Sequence, residues 1–214
     1  MGLPSTNLSQ RTEEAINFDK RLFFILLVVL FVVIRYLTND LILQAIPGYQ
    51  ALQNQGAFTY FHLFNTLDYV WMPFSLLWKF TLTAFTIWVG AFMGGYKLSY
   101  KELWKFAMVA ETVFIFPELI RLIWFFIEQP ESFLAIQNFH PLSLFSLVNP
   151  EQVDPRYHYP LGALNLFEVA YWILLAIGVH TISRRSLSTS VIIVLCSYTF
   201  CFLLWLGFYI IVYK

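Results

Sequence analysis

Five long apolar stretches divide this sequence, and their length constrains what the chain can fold into. A helix needs about 20 apolar residues to cross a bilayer. Spans are predicted at residues 21–37, 69–95, 103–127, 161–180 and 190–213. Of the 214 residues, 59% are hydrophobic and 12% are charged, whereas soluble domains average roughly 25% charged. The sequence therefore predicts an all-α, polytopic membrane helix bundle with five transmembrane helices.

The basic residues alternate between the connecting segments. Lys97, Lys101 and Lys105 lie between the second and third spans, and Arg184 and Arg185 between the fourth and fifth, whereas residues 38–68 contain no Lys or Arg. Because basic loops stay on the cytoplasmic side, we predict a cytoplasmic N-terminus and an external C-terminus. Residues 1–20 would form a short cytoplasmic tail, and residues 21–214 one membrane domain. A net charge of zero gives no electrostatic case for nucleic acid binding.

Ionisable side chains interrupt the three middle spans. They are Lys79, Glu111, Glu118, Arg121 and Glu168. Each would cost about 2.5–3.5 kcal/mol at the centre of a bilayer, so they are expected to face one another or water. Glu118 and Arg121 are three residues apart and could pair along one helix. Pro117 cannot donate a backbone hydrogen bond, which predicts a kink in the third helix.

The charge count leaves one carboxylate unpaired, because three carboxylates face two cations. That acid would be neutral, or would reach water or a further partner. The preferred interpretation is a buried ion-pair network that fixes the order of the helices. Two alternatives stay open: a proton or substrate pathway in which the odd carboxylate titrates, and a charged groove for a partner's membrane helix.

Shorter signals concern the connections. Gly94 and Gly95 predict the end of the second helix. Ser99 with Glu102 has the spacing of a capping box, which places the start of the third helix at about Tyr100. The outer loops at 40–53 and 131–150 are apolar, and we expect them to lie along the interface as short helices. The two cysteines, Cys196 and Cys201, are interpreted as small core residues.

The sequence gives no pattern for catalysis, a cofactor or a metal site. No His pair has the spacing of a zinc motif, and no serine lies in a nucleophile elbow. We therefore predict a protein that is not an enzyme.

Two segments resemble a known family. "MGGYKLSYKELWKFAMVAETVFIFPELI", residues 93–120, is similar to the core of Yip1-domain membrane proteins, and "LNLFEVAYWILLAIGVHTISRRSLSTSVIIVL", residues 164–195, resembles their fourth-to-fifth span unit. The resemblance implies five spans and a cytoplasmic N-terminus. Eukaryotic relatives are implicated in vesicle trafficking through partners such as small GTPases. The short N-terminal tail favours a bacterial member, and the resemblance carries over no catalytic residue.

The function expected from the sequence is that of an accessory or scaffolding subunit. It would bind other membrane proteins within the lipid bilayer of a bacterial inner membrane. The alternative is a transporter or channel component whose proton or cation path runs through Glu111, Glu118 and Glu168.

Overall fold

The computed structural model describes residues 19–44, 59–128, 136 and 138–213 of the chain. Helices, turns and short connections account for these residues, and no strand occurs among them. Four helical segments are long and apolar enough to cross a membrane: Lys20–Asn39, Thr66–Met93, Leu166–Ser183 and Leu187–Val212. The prediction of an all-helical membrane protein is confirmed at this level.

The first two helices are longer than the predicted spans. Helix α1 covers Lys20–Gln44, and helix α2 covers Thr59–Met93, with Pro73 inside it. Gly95 follows α2 with φ +80°, and the amide of Tyr96 donates to the carbonyl of Ala91 at 2.9 Å. Glycine adopts this left-handed conformation without a steric penalty, so the helix ends here as the sequence predicted.

The predicted third span is three helical pieces rather than one helix. Helix α3 covers Tyr100–Ala110, a 3₁₀ turn covers Glu111–Phe114, and helix α4 covers Ile115–Glu128. The start at Tyr100 is as predicted, but the Ser99 side chain makes no capping hydrogen bond. Pro117 lies in the first turn of α4, so the departure from α-helical geometry precedes it. A proline cannot donate to the carbonyl four residues earlier, and the tighter turn lies where that bond is missing.

The predicted fourth span is also divided. Helix α5 covers His158–Ala163 and helix α6 covers Leu166–Ser183, separated by a short turn. The amide of Leu166 donates to the carbonyl of Leu142, and that of Leu144 to the carbonyl of Leu164. These two bonds attach the preceding connection, with its 3₁₀ turn at Leu144–Leu147, to the start of α6.

The last span contains a change of helical geometry. Helix α7 covers Leu187–Val194, a π-helical turn covers Leu195–Thr199, and helix α8 covers Phe200–Val212. Cys196 and Cys201 are both exposed, so their interpretation as core residues was wrong. An apolar span surrounded by lipid does not need to bury its small side chains. Of the predicted outer loops, residues 45–53, 131–135 and 137 lie outside the described residues.

Side-chain contacts fix the relative directions of the segments. Leu27 of α1 shares a core cluster with Phe80 of α2 and Met108 of α3. Further along α1, Arg35 lines a cavity together with Arg121 of α4. Helix α1 therefore runs in the same direction as the α3–α4 segment. Helix α2 runs in the opposite direction, because Arg35 pairs with Asp68 near its beginning.

The larger core cluster joins α2, α3, α6 and α7. Its buried residues include Ala84, Phe106, Tyr171 and Val179. The helices approach closely at two glycines: a Cβ on Gly178 would lie 2.2 Å from the Phe106 ring, and one on Gly90 would lie 2.4 Å from Cβ of Ser197. These contacts place α6 directly against α3, and the π turn directly against the last turns of α2.

Candidate functional site

A group of polar side chains lies among apolar residues where α2, the 3₁₀ turn, α6 and the π turn meet. We call it the central polar cluster. Its members are Lys79, Thr83, Glu111, Glu168, Tyr171, Trp172 and Tyr198. Three of the five ionisable residues singled out from the sequence belong to it.

Lys79 and Glu111 form the cluster's ion pair. The Lys79 Nζ donates to Glu111 Oε1 at 3.0 Å. The Glu111 side chain is 2% exposed, whereas that of Lys79 is 57% exposed. The ammonium also lies 5.1 Å from the centre of the Phe114 ring, within the range of a cation–π contact. The Glu111 carboxylate is therefore enclosed by protein, and the Lys79 ammonium covers it on the side that faces the protein surface.

Glu168 is held by neutral donors. Its Oε1 accepts from Nε1 of Trp172 at 2.8 Å and from the hydroxyl of Tyr198 at 3.2 Å. Glu168 is 6% exposed and has no Lys, Arg or His nitrogen within 4.0 Å in the described part of the chain. Like Glu118, it lacks an ion-pair partner among the described residues, and two aromatic donors stabilise it in place of a cation.

Two tyrosines connect the carboxylates to the surrounding helices. Tyr171, 1% exposed, donates to Oγ1 of Thr83 at 3.2 Å. Its ring lies 5.1 Å from that of Phe114 and 5.4 Å from that of Tyr198. Tyr198 belongs to the π turn. Single π turns within α-helices frequently occur at functional sites, because the extra residue redirects a side chain.

The three carboxylates lie at or beside changes of helical geometry. Glu111 opens the 3₁₀ turn, Glu118 is in the first turn of α4, and Glu168 is in the first turn of α6. The amide of Glu168 donates to Oδ1 of the N-cap residue Asn165 at 2.8 Å. Negative charge is favourable near a helix N-terminus because the backbone N–H groups point toward it. The break before α6 therefore helps to accommodate Glu168.

The structure separates the other two predicted residues from this cluster. Glu118 and Arg121 line a cavity with Arg35 of α1, and they form no ion pair with each other within 4.0 Å. The expectation that these neighbours pair along the helix was wrong. The five charges thus form two groups, one at the central polar cluster and one where α1, α2 and α4 meet.

Several functional side chains were missed by the sequence analysis. Thr83, Tyr171, Trp172 and Tyr198 are neutral residues within apolar stretches, and nothing in their spacing marks them. The Asn165 cap could have been recognised, since Asn followed three residues later by Glu is a signature of a helix start. Among the described residues, no group of three or more His, Cys, Asp or Glu has the arrangement of a metal site.

Comparisons with protein-family models, with curated proteins and with solved structures found no match for this chain. The resemblance to Yip1-domain proteins therefore stays a prediction from the two quoted segments.

Proposed function

We propose that this chain is a non-enzymatic integral membrane protein that acts as an accessory or scaffolding subunit. A transmembrane helix of another membrane protein would dock at the open side of the central polar cluster. The observation that carries the proposal is the exposure of Lys79, whose side chain is 57% exposed within the candidate span Thr66–Met93.

A lysine facing acyl chains at this depth is costly. Its ion pair with Glu111 reduces that cost, but more than half of its side chain still lacks a protein neighbour. A polar or acidic side chain on a partner helix would complete its surroundings. Large apolar residues flank it on the same helix: Trp78 is 67% exposed and Leu82 is 48% exposed. Such a combination of apolar contact area and one buried polar contact is typical of helix association in membranes.

We further infer that the chain crosses the membrane five times, with the α3–α4 segment as the additional crossing. That segment has about 45 Å of helical path, more than the hydrocarbon thickness of about 30 Å. Its parallel course beside α1 supports the inference.

The basic connections also lie close together, because the Arg185 guanidinium lies 5.6 Å from the centre of the Tyr96 ring. A cytoplasmic basic end would place the N-terminus inside and the C-terminus outside. We propose that the protein lies in the bacterial inner membrane.

Site-specific photocrosslinking in cells tests the docking surface. A photoreactive phenylalanine analogue replaces Trp78, beside Lys79, in one variant, and Phe208 of α8 in a matched control. Phe208 is 56% exposed and lies far from Lys79 along the chain. We expect a discrete protein adduct from position 78 that is much weaker from position 208.

The crosslink should also depend on the charge. Adding Lys79→Met together with Glu111→Gln to the position-78 variant is expected to reduce the adduct, because the partner loses its polar contact while no charge is left unpaired. An adduct only with lipid at position 78, or an equal protein adduct at both positions, would contradict the proposal.

A second candidate function, a proton or cation path, is supported by Glu168. This buried carboxylate has only neutral hydrogen-bond donors, and the Lys79–Glu111 pair lies nearby. In proteoliposomes, Glu168→Gln should abolish a pH-driven flux if the path exists. If the cluster is structural, the wild-type protein should show no flux above empty liposomes.

A further inference from the structure

A second polar site lies where α1, α2 and α4 meet, away from the central polar cluster. A cavity of about 210 Å³ is lined by Arg35, Asn39, Glu118 and Arg121 and by the apolar side chains of Phe31, Ile42 and Met72. This volume corresponds to about seven water molecules and is smaller than the pockets of drug-sized ligands. It suits a small charged group with an apolar extension.

One residue that lines the cavity has a hydrogen-bond donor that the protein does not satisfy. The Nε of Arg121 is buried and has no acceptor among the described residues. One of its terminal nitrogens, Nη2, has the carbonyl of Ile136 at 3.5 Å, the outer limit of a hydrogen bond. Buried donors in native proteins are almost always paired, and an orphan commonly marks the place of an absent water or ligand. A guanidinium in this state is suited to a phosphate oxygen.

Arg35 supplies a second guanidinium to the same cavity. It pairs with Asp68 through Nη2 at 3.0 Å, and a single Nη2 contact leaves other N–H groups of its planar fork available. Two guanidiniums facing one small cavity repel each other unless an anion lies between them. This arrangement favours a ligand with an oxyanion.

Glu118 makes a simple anion a poor fit. Its carboxylate lines the same cavity and has no ion-pair partner within 4.0 Å in the described part of the chain. Counting Asp68, which pairs with Arg35, the two arginines are matched by two carboxylates, so the surroundings are neutral overall. A zwitterion whose phosphate meets the arginines and whose ammonium meets Glu118 matches this neutral set of charges.

The position of the cavity points to the source of such a group. Asn39 is the last residue of the candidate span Lys20–Asn39, and Asp68 lies near the start of the span Thr66–Met93. The cavity is therefore at the level where hydrocarbon gives way to lipid headgroups. Phe31 and Met72 lie further into the spans, on the side where acyl chains would extend.

We propose that this cavity binds the headgroup of phosphatidylethanolamine. The phosphate accepts hydrogen bonds from Arg121 and Arg35, and the primary ammonium donates to Glu118. Phosphatidylcholine has no N–H to donate to Glu118, and phosphatidylglycerol places no cation beside it. The site is a lipid-selective one that does not depend on the docking of a partner protein.

Thermal unfolding of the delipidated full-length protein in detergent tests the proposal. Phosphatidylethanolamine, phosphatidylglycerol and phosphatidylcholine with identical acyl chains are titrated separately, and intrinsic tryptophan fluorescence reports unfolding. We expect phosphatidylethanolamine to protect at a concentration roughly tenfold lower than the other two, since one charge-assisted hydrogen bond distinguishes them. Equal protection by all three lipids would overturn the proposal.

Two variants test which residue binds the phosphate and which binds the ammonium of the headgroup. Arg121→Gln should weaken protection by all three lipids, whereas Glu118→Gln should abolish the preference for phosphatidylethanolamine and leave protection by phosphatidylglycerol. Arg156→Gln and Glu128→Gln serve as matched controls and should behave as wild type, because Arg156 pairs with Asp154 in an exposed connection and Glu128 is exposed at the end of α4. If Arg121→Gln does not fold, the lipid preference of Glu118→Gln alone tests the proposal. A retained preference in Glu118→Gln overturns the assignment.

Soluble compounds distinguish a lipid from a free ligand. Glycerophosphoethanolamine should protect only at much higher concentration than the lipid, because it lacks the apolar contact with Phe31 and Met72. Equal protection by glycerophosphoethanolamine would show that the ligand is a free zwitterion and not a lipid. Protection by inorganic phosphate alone, at the concentration effective for the lipid, would contradict the role of Glu118.

Discussion

Lys79 and Glu111 form an ion pair whose two members lie in unequal surroundings. The carboxylate is 2% exposed and the lysine side chain 57% exposed. Removing the lysine leaves a carboxylate unpaired inside the protein, whereas removing the carboxylate leaves a cation at the lipid-facing surface, where its long side chain has room to extend toward the headgroups. A pair of this kind is weak support for stability as a whole, but leaving the enclosed carboxylate unpaired is costly.

The two single substitutions should therefore differ. Lys79→Met is expected to lower the free energy of unfolding by about 3–5 kcal/mol, and Glu111→Gln by less. The double variant should be less destabilised than the sum of the two single variants, because no charge is then left unpaired. Chemical or thermal unfolding in detergent measures all three. Arg156→Gln, which breaks an exposed ion pair, should change stability by less than about 1 kcal/mol. Equal losses in both single variants would contradict the asymmetry.

His140 lies outside the candidate spans, in the connection before α5. Its ring packs edge-on against Phe145 at 5.3 Å, and a Cβ on Gly162 would lie 3.1 Å from its Nδ1. Burial, with smaller contributions from the positive charges of Arg121 and His158, holds the pKa of His140 below its ordinary value of 6.5. The folded connection therefore favours the neutral ring.

This lowered pKa predicts a loss of local stability in acid. Above pH 6.5 the ring is neutral in both folded and unfolded states, and its full contribution is present. As the pH falls below 6.5, the unfolded connection binds a proton more readily than the folded one, so stability decreases. Hydrogen exchange of residues 138–165, corrected for intrinsic rates, should accelerate between pH 7.5 and 5. His140→Gln should remove most of the pH dependence. An unchanged dependence in that variant would contradict the assignment.

At the scale of the helices, glycines set how closely α2 and α6 can approach their neighbours. Gly90 contacts Ser197 of the π turn and Gly178 contacts Phe106 of α3, whereas Gly207 of α8 has no atom within 4 Å of the position a Cβ would take. The three glycines look alike in sequence, since each is a single glycine within an apolar helix. Only the neighbouring elements distinguish their roles.

Alanine substitution should separate these glycines. Gly207→Ala is expected to stabilise the protein by up to about 1 kcal/mol, because alanine is the better helix former. Gly90→Ala and Gly178→Ala should instead destabilise it by about 1–3 kcal/mol, because the added methyl group overlaps Ser197 or Phe106. Melting temperatures of the purified variants give the comparison. Stabilisation by all three substitutions would show that the helices are not packed as closely as the structure has them.

The boundaries of the helices show which features could be predicted from the sequence. The helix start at Tyr100 and the turn at Gly94–Gly95 were predicted, because capping and glycine preferences are local. A kink was predicted from Pro117, but its form, a 3₁₀ turn at Glu111–Phe114 ahead of the proline, was not. The π turn at Leu195–Thr199 was not predicted at all, because its sequence is compatible with an α-helix; it packs against α2.

At the scale of the whole molecule, the proposed fifth crossing has a direct test. In a background without Cys196 and Cys201, Lys101→Cys places a single thiol in the first turn of the α3–α4 segment, and Leu147→Cys places one after the segment. If this segment crosses the membrane and the basic end is cytoplasmic, an impermeant maleimide added to intact cells should label Leu147→Cys and not Lys101→Cys. Leu147 is 79% exposed, so its thiol should be accessible. Equal labelling at both positions would show that the segment does not cross.

The sequence alone determined that this chain is a helical membrane protein, because long apolar stretches are a property of composition and length. It also identified the charged residues that must be accommodated, because each is costly in lipid. The tertiary structure decided which charges meet. It placed Lys79, Glu111 and Glu168 among tyrosines and a tryptophan, and it moved Glu118 and Arg121 to a separate cavity beside Arg35. The physical reason is that an ion pair or hydrogen bond requires a particular distance and direction between side chains from different helices, and those are set by how the helices pack.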